Sequence, residues 1–105
     1  MASGRWNEMS FLEKMSNIGS EVSRTITAME RNDEVSKNAA FERSLELFDL
    51  TLNNSLTSSQ LKELCRAREA WVDFVAYDNE YKSTKESWRN YFDQFLYAYA
   101  IQAGR

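Results

Sequence analysis

Two pairs of carboxylates are spaced so that each pair can share one face of a helix. Glu46 and Asp49 are three residues apart, and Glu69 and Asp73 are four apart, which are the separations of neighbouring side chains on a helix surface. If the two pairs face each other, their oxygens can hold Mg²⁺ and present a phosphorylated ligand to it, with Arg68 as the phosphate contact. This set predicts one alternative function, a Mg²⁺-dependent enzyme that processes nucleotides or other phosphoesters.

The stretch from Glu46 to Asp49 is similar to the ExxD element of the all-α nucleotide pyrophosphohydrolases. That resemblance implies hydrolysis of a nucleotide with Mg²⁺ bound by these carboxylates. The helix with two glutamates that accompanies the element in that family has no counterpart in this sequence.

The absence of histidine limits the chemistry of the chain. Histidine phosphotransfer, a histidine-containing di-iron bundle and a Ser-His-Asp hydrolase are excluded in their usual forms. One cysteine, Cys65, leaves only carboxylates as further ligands for zinc, and no Gly-rich phosphate loop is present. We therefore expect no cofactor and no metal, favour a non-enzymatic function, and expect Cys65 to be a buried structural thiol.

Arg68 is the most informative charged residue, because it falls at the centre of the apolar stripe predicted for its helix. A buried guanidinium needs a carboxylate partner, and the candidates are Asp49, Glu46 and Glu21. The alternative is an arginine that binds an anion at a cleft. Nine charged residues are distributed over three of the predicted helices. If they converge in the fold, they form either a structural network of ion pairs or a polar pocket for a ligand. These residues are Glu21, Arg24, Arg43, Glu46, Asp49, Arg66, Arg68, Glu69 and Asp73.

Nucleic-acid binding is a weaker alternative. Trp6, Tyr77 and Tyr81 can offer stacking surfaces, with Lys82 and Lys85 as phosphate contacts. The 13 basic and 16 acidic residues give a net charge of −3, so the chain has no broad cationic surface that would neutralise many phosphates. We expect no nucleic-acid partner.

The elements that carry these residues are predicted to be helices. Apolar residues recur at intervals of three or four, proline is absent and glycine occurs three times, a pattern that favours helices over sheets. Capping boxes mark helix starts at Ser10, Thr57 and Ser83. We predict one all-α domain over 1–105, a four-helix up-down antiparallel bundle with helices at about 10–31, 33–53, 58–76 and 83–103.

Three of the predicted helices carry apolar residues away from their main stripe. The main stripes are predicted to contain Phe11, Met15, Ile18, Val22, Ile26 and Met29 on the first helix, Leu61, Leu64, Val72 and Val75 on the third, and Trp88, Phe92, Phe95 and Tyr99 on the fourth. These surplus residues are either single exposed side chains or parts of a contact surface for a partner. They are Leu47, Leu50, Phe74, Tyr97 and Ile101.

Three stretches, Asn17–Arg24, Arg43–Thr51 and Arg66–Asp73, resemble a family of small uncharacterised prokaryotic proteins of similar length. The resemblance extends from about Trp6 to Ala100. It implies a compact bacterial or archaeal helical domain and assigns no catalytic residue.

The sequence as a whole predicts a helical interaction or regulatory module that self-associates as a homodimer or binds a protein partner. A single cysteine and the lack of a signal-peptide pattern predict the cytoplasm. No apolar run approaches the roughly 20 residues that span a bilayer, so we expect no membrane partner.

Overall fold

A computed structural model of the chain describes residues 9–54, 56–102 and 104. It confirms the predicted all-α fold, a four-helix up-down bundle without strands in these residues. The helices, numbered in chain order, are α1 (Phe11–Glu30), α2 (Glu34–Leu52), α3 (Ser58–Ala76) and α4 (Lys85–Gln102). Ser55 and Ala103, which the predicted loop and fourth helix include, lie outside the described residues.

The turn between α1 and α2 is short because one asparagine takes a left-handed conformation. Asn32 has φ 56°, and the N–H of Asp33 donates to the carbonyl of Ala28 at 2.9 Å while the N–H of Asn32 donates to Met29 at 3.1 Å. This pair of bonds is the Schellman arrangement that ends a helix. Asp33 then caps α2 by accepting from the N–H of Ser36.

Side-chain caps fix the other helix starts. Ser10 accepts from the N–H of Glu13 at the start of α1, and Thr57 forms a complete capping box with Gln60 at the start of α3. The predicted cap at Ser83 is wrong by one residue, because Thr84 accepts from the N–H of Ser87 at 2.9 Å and Ser87 accepts from the N–H of Thr84 in return.

The helices form a closed square in which each one neighbours the next. α1 packs against α2 and α4, and α2 also packs against α3. The fourth side, between α3 and α4, is bridged by large side chains: the rings of Trp71 and Trp88 are 5.3 Å apart in an edge-to-face contact, and Trp88 also contacts Phe74.

The core is built on the stripe predicted for α1. Met15, Ile18, Val22 and Ile26 are all buried, as their three- and four-residue spacing requires for one helix face. Beside this stripe, α1 and α4 approach closely at Gly19, where an added Cβ would lie 2.9 Å from the Cβ of Phe92. Glycine is required there by space and not by backbone conformation.

The predicted stripe of α3 is wrong, because the buried face is rotated around the helix axis by about the angle between two consecutive residues. Leu64, Ala67, Ala70 and Trp71 are the buried residues, whereas Leu61 is 44% exposed. Trp71 has no exposed surface, and its indole N–H donates to Ser44 Oγ on α2 at 2.9 Å. This rotation also exposes Cys65, which contradicts the prediction of a buried thiol.

Candidate functional site

Three large apolar side chains are exposed near the C-terminal end of α4. Leu96 is 57% exposed, Tyr97 72% and Ile101 56%. Tyr97 and Ile101 lie opposite Trp88, Phe92 and Phe95, which face the core, and Leu96 lies at the side of the helix, one turn after Phe92. We call Leu96, Tyr97 and Ile101 the α4 ridge.

A groove of about 720 Å³ runs next to this ridge, along the outer surface of α1. Its floor consists of small side chains on α1, and its walls come from α2 and from α4. We call it the α1 groove, and its floor residues are Ser16, Gly19, Ser20, Ser23 and Thr27. Leu96 belongs to both surfaces, so the ridge and the groove are continuous.

Three arginines line the α1 groove, together with Asp33 and Asp93. Arg24 and Arg43 line it and both bind Glu21, at 2.7 and 3.3 Å. Arg31, at the end of α1, also lines it and makes no ion pair with the described residues. The Glu21 carboxylate therefore orients two of the three arginines, and the charge of the third helps to lower the pKa of the nearby Asp33 carboxyl.

Acidic side chains accompany the ridge on α4. Asp93 is exposed where the ridge meets the groove, and Glu86 is exposed two turns earlier on the same helix. Asp33 lies at the far end of the groove, where the hydrogen bonds from the Ser36 side chain and backbone hold the pKa of its carboxyl below the usual value.

The five residues predicted as an interface separate into two groups in the structure. Tyr97 and Ile101 belong to the α4 ridge, whereas Leu47, Leu50 and Phe74 are half-buried and pack against the core. Sequence reasoning did not assign Leu96 to the contact surface. The sequence nevertheless indicated this position, because Leu96 is an apolar residue next to Tyr97 in the chain and outside the core stripe predicted for α4.

The nine charged residues predicted as one network make contacts in three separate sets. One is the cluster of Glu21 with its two arginines, and the second is a single pair, Arg68 Nε with Asp49 Oδ1 at 3.0 Å. Asp49 is one of the three candidate partners predicted for Arg68, but the pair lies at the surface, with the two side chains 34% (Arg68) and 57% (Asp49) exposed. The third set contains Glu69 and Asp73, both of which bind Tyr81.

Two members of the predicted network have other positions. Arg66 lines a second groove, between α3 and α4, and Glu46 is exposed on α2. In that second groove the Tyr91 hydroxyl donates to Glu63 at 2.9 Å. Burial is the main cause that raises the pKa of this hydroxyl, and the hydrogen bond to Glu63 raises it further.

The two carboxylate pairs do not assemble the predicted magnesium site in the described part of the chain. No group of three or more Asp, Glu, Cys or His side chains there is placed to hold a metal ion. Asp49 is paired with Arg68 across α2 and α3, and Glu69 accepts from the Tyr81 hydroxyl. The alternative enzymatic hypothesis gains no geometric support from these residues.

The aromatic residues considered for nucleic-acid binding lie in an acidic setting. Tyr77 is exposed, but Tyr81 donates its hydroxyl to Glu69 and its backbone N–H to Asp73. The hydrogen bond to Glu69 raises the pKa of the Tyr81 hydroxyl. Trp6 lies outside the described residues.

Comparison of the chain with protein-family models, with curated proteins and with solved structures finds no match. None of the described helices is both long enough and apolar enough to cross a bilayer.

Proposed function

We propose that this chain is a non-enzymatic interaction module that self-associates through the α4 ridge and the α1 groove. The observation that carries the proposal is the α4 ridge, three large apolar side chains that are exposed close together near the C-terminal end of one helix. Contiguous exposed apolar surface of this kind is uncommon on monomers and is typical of association sites.

Shape favours a second copy of the chain as the partner. A two-fold dimer uses the same patch on both protomers, so the patch must be complementary to itself. The α4 ridge projects and the adjacent α1 groove is recessed, with Leu96 shared by the two. A two-fold axis close to Leu96 would seat the ridge of each protomer in the groove of its partner.

The small floor of the groove permits close contact with a helix. Ser20 and Ser23 are exposed serines beside Gly19, and small side chains let a second helix approach its neighbour closely. Tyr97 is suited to the opposite role, since aromatic side chains are enriched among the residues that dominate binding energy.

Charge also favours a partner with an acidic helix face. The groove carries three arginines, of which Arg31 makes no ion pair with the described residues, while the α4 face carries Asp93 and Glu86. Two copies related by a two-fold axis would bring the acidic face of one protomer towards the arginines of the other, twice. Such complementarity contributes mainly specificity and association rate.

The test compares two substitutions that each replace an exposed apolar residue with Asp. Tyr97→Asp places a charge at the centre of the ridge, whereas Val35→Asp places one on α2, where Val35 is 82% exposed. We expect sedimentation velocity to show that wild type and Val35→Asp self-associate and that Tyr97→Asp is monomeric. Circular dichroism should give the same helix content for all three.

A substitution in the α1 groove tests whether the groove takes part in self-association together with the α4 ridge. Ser23→Trp fills the groove floor without altering the ridge, and we expect it to weaken self-association as Tyr97→Asp does. Equal self-association of wild type, Tyr97→Asp and Ser23→Trp would contradict the proposal, as would a wild-type chain that is monomeric at every concentration.

A further inference from the structure

Lys14 is a buried lysine that lacks a carboxylate partner among the described residues. Only 6% of its surface is exposed, and its ammonium group donates one hydrogen bond, to the side-chain oxygen of Asn54 in the connection after α2. An ammonium has three donors, so a single neutral acceptor leaves both the charge and two donors incompletely satisfied.

A cavity of about 590 Å³ lies next to this ammonium, at the end of the bundle where α1 and α3 begin. It is far along the bundle from the turn between α1 and α2, since α1 runs its full length between them. Its lining is predominantly polar and comprises Met9, Phe11, Lys14, Asn53, Asn54, Leu56 and Gln60.

Several features of the cavity favour negative charge. Phe11 and Gln60 belong to the first turns of α1 and α3, and helix N-termini carry partial positive charge. α2 ends at the same place with the opposite polarity, so two of the three helix ends at the cavity are positive. Side-chain amides of Asn53 and Gln60 add neutral hydrogen-bond donors without adding negative charge.

The buried charge of Lys14 is energetically unfavourable without a counter-charge. Burial of an ion without a partner is costly in proteins, and the group responds by losing its charge or by acquiring a partner. In this structure, burial lowers the pKa of the Lys14 amine from its ordinary value. An anion in the cavity would reverse this effect because it stabilises the ammonium form.

We propose that this cavity is a binding site for a small oxyanion, the carboxylate or phosphate group of a ligand, with the Lys14 ammonium as its charge partner. The site is independent of the proposed self-association, which uses α4 and the outer surface of α1. The polar lining and the one cation among its described residues fit one anionic group, with Met9, Phe11 and Leu56 beside it to contact an apolar portion of the same ligand.

The test is an NMR titration of amide resonances at constant ionic strength, in which sodium chloride is replaced by sodium phosphate or by sodium acetate. We expect saturable shifts at the amides around the cavity for at least one of the two anions. Which of them saturates at the lower concentration identifies the group as phosphate or carboxylate.

Two variants assign the effect to Lys14. Lys14→Met removes the charge and leaves an unbranched side chain that is one atom shorter, and Lys62→Met makes the same change at an exposed lysine on α3. The affinity should fall by at least about tenfold in Lys14→Met, a loss of about 1.4 kcal/mol, and should be unchanged in Lys62→Met. Equal affinities of wild type and Lys14→Met would overturn the proposal.

A measurement on the wild-type chain keeps the proposal testable even if Lys14→Met does not fold. Reductive methylation with ¹³C labels each lysine amine, and the resonance of Lys14 should move during the titration along the same saturation curve as the amides. The resonance of the exposed Lys62 serves as the reference. The proposal would be overturned if the Lys14 resonance responded to neither anion.

Discussion

Replacement of Gly19 by alanine tests how closely α1 and α4 pack. The added Cβ would lie 2.9 Å from Phe92 Cβ and 3.2 Å from both Cγ and Cδ1 of that ring. A Cβ–Cβ distance below 3.0 Å cannot be relieved by rotation of the phenylalanine side chain, because its Cβ is fixed to the backbone of α4. The two helices must therefore move apart.

Two opposing effects set the magnitude for Gly19→Ala. Alanine is favoured over glycine within a helix by about 1 kcal/mol, and overpacking of a well-packed contact costs about 1–3 kcal/mol. Since the clash involves backbone-anchored atoms, we place the packing cost at about 2 kcal/mol and expect a net loss of about 1 kcal/mol of unfolding free energy. For a chain of this size the melting temperature should fall by about 4 °C.

Urea unfolding followed by circular dichroism measures this difference, with Ser23→Ala as the matched control. Ser23 is exposed on the same helix one turn later, so alanine there gains helix propensity without a new contact and should stabilise the bundle by about 0.5 kcal/mol. A Gly19→Ala variant more stable than wild type would refute the close packing of α1 on α4.

Three further substitutions test the core, the acid response and the buried lysine. Trp71→Phe should lower the unfolding free energy by about 2 kcal/mol, since it removes the buried hydrogen bond to Ser44 and opens a small cavity; unchanged urea unfolding would contradict that role. Arg89 binds Glu30 at 3.1 and 3.2 Å and holds the pKa of this carboxyl below its ordinary 4.5. The stability that Glu30 contributes is therefore present above about pH 4.5 and is lost as the pH falls below it. Glu30→Gln should remove this part of the acid dependence, and an identical acid limb in chemical unfolding would exclude it. Because the pKa of Lys14 is lowered from 10.5, the unfolded chain binds more protons there, and wild type should gain stability relative to Lys14→Met as the pH rises towards 10.5; a constant difference between the two would contradict the burial of this amine.

Sequence periodicity predicted the core faces of α1 and α4 well. Ile18 and Val22 on α1 and Phe92 and Phe95 on α4 are large and recur at helical spacing, so only one rotation of each helix buries them together. Loops were predictable where the chain carries its own caps, as at Thr57, and less so at Ser83, because the neighbouring threonine offers the same hydroxyl.

The rotation of α3 was not predictable from apolar residue counts. Leu61, Val72 and Val75 define a stripe that places Arg68 at its centre, whereas the observed face uses Trp71 and the small Ala67. Small residues count little in a hydrophobicity pattern, yet they are buried where they leave space for a large aromatic residue. The central arginine was the signal, since a rotation that moves Arg68 to the edge pairs it with Asp49.

The candidate surfaces show the same limit. Tyr97 and Ile101 could be assigned to an outer face because they lie opposite the core stripe of their own helix. Burial of Lys14 could not be predicted, because it depends on the connection after α2 placing Asn54 over the amine, a contact between residues 40 positions apart. Such contacts require the relative positions of helices and not their individual patterns.

Sedimentation equilibrium of the wild-type chain over a wide concentration range tests the central claim most directly. Self-association through the α4 ridge and the α1 groove predicts that the mass rises with concentration from the 12.3 kDa of one chain to twice that value, and that Tyr97→Asp removes the rise. A mass of 12.3 kDa at every concentration would contradict the claim that this bundle self-associates.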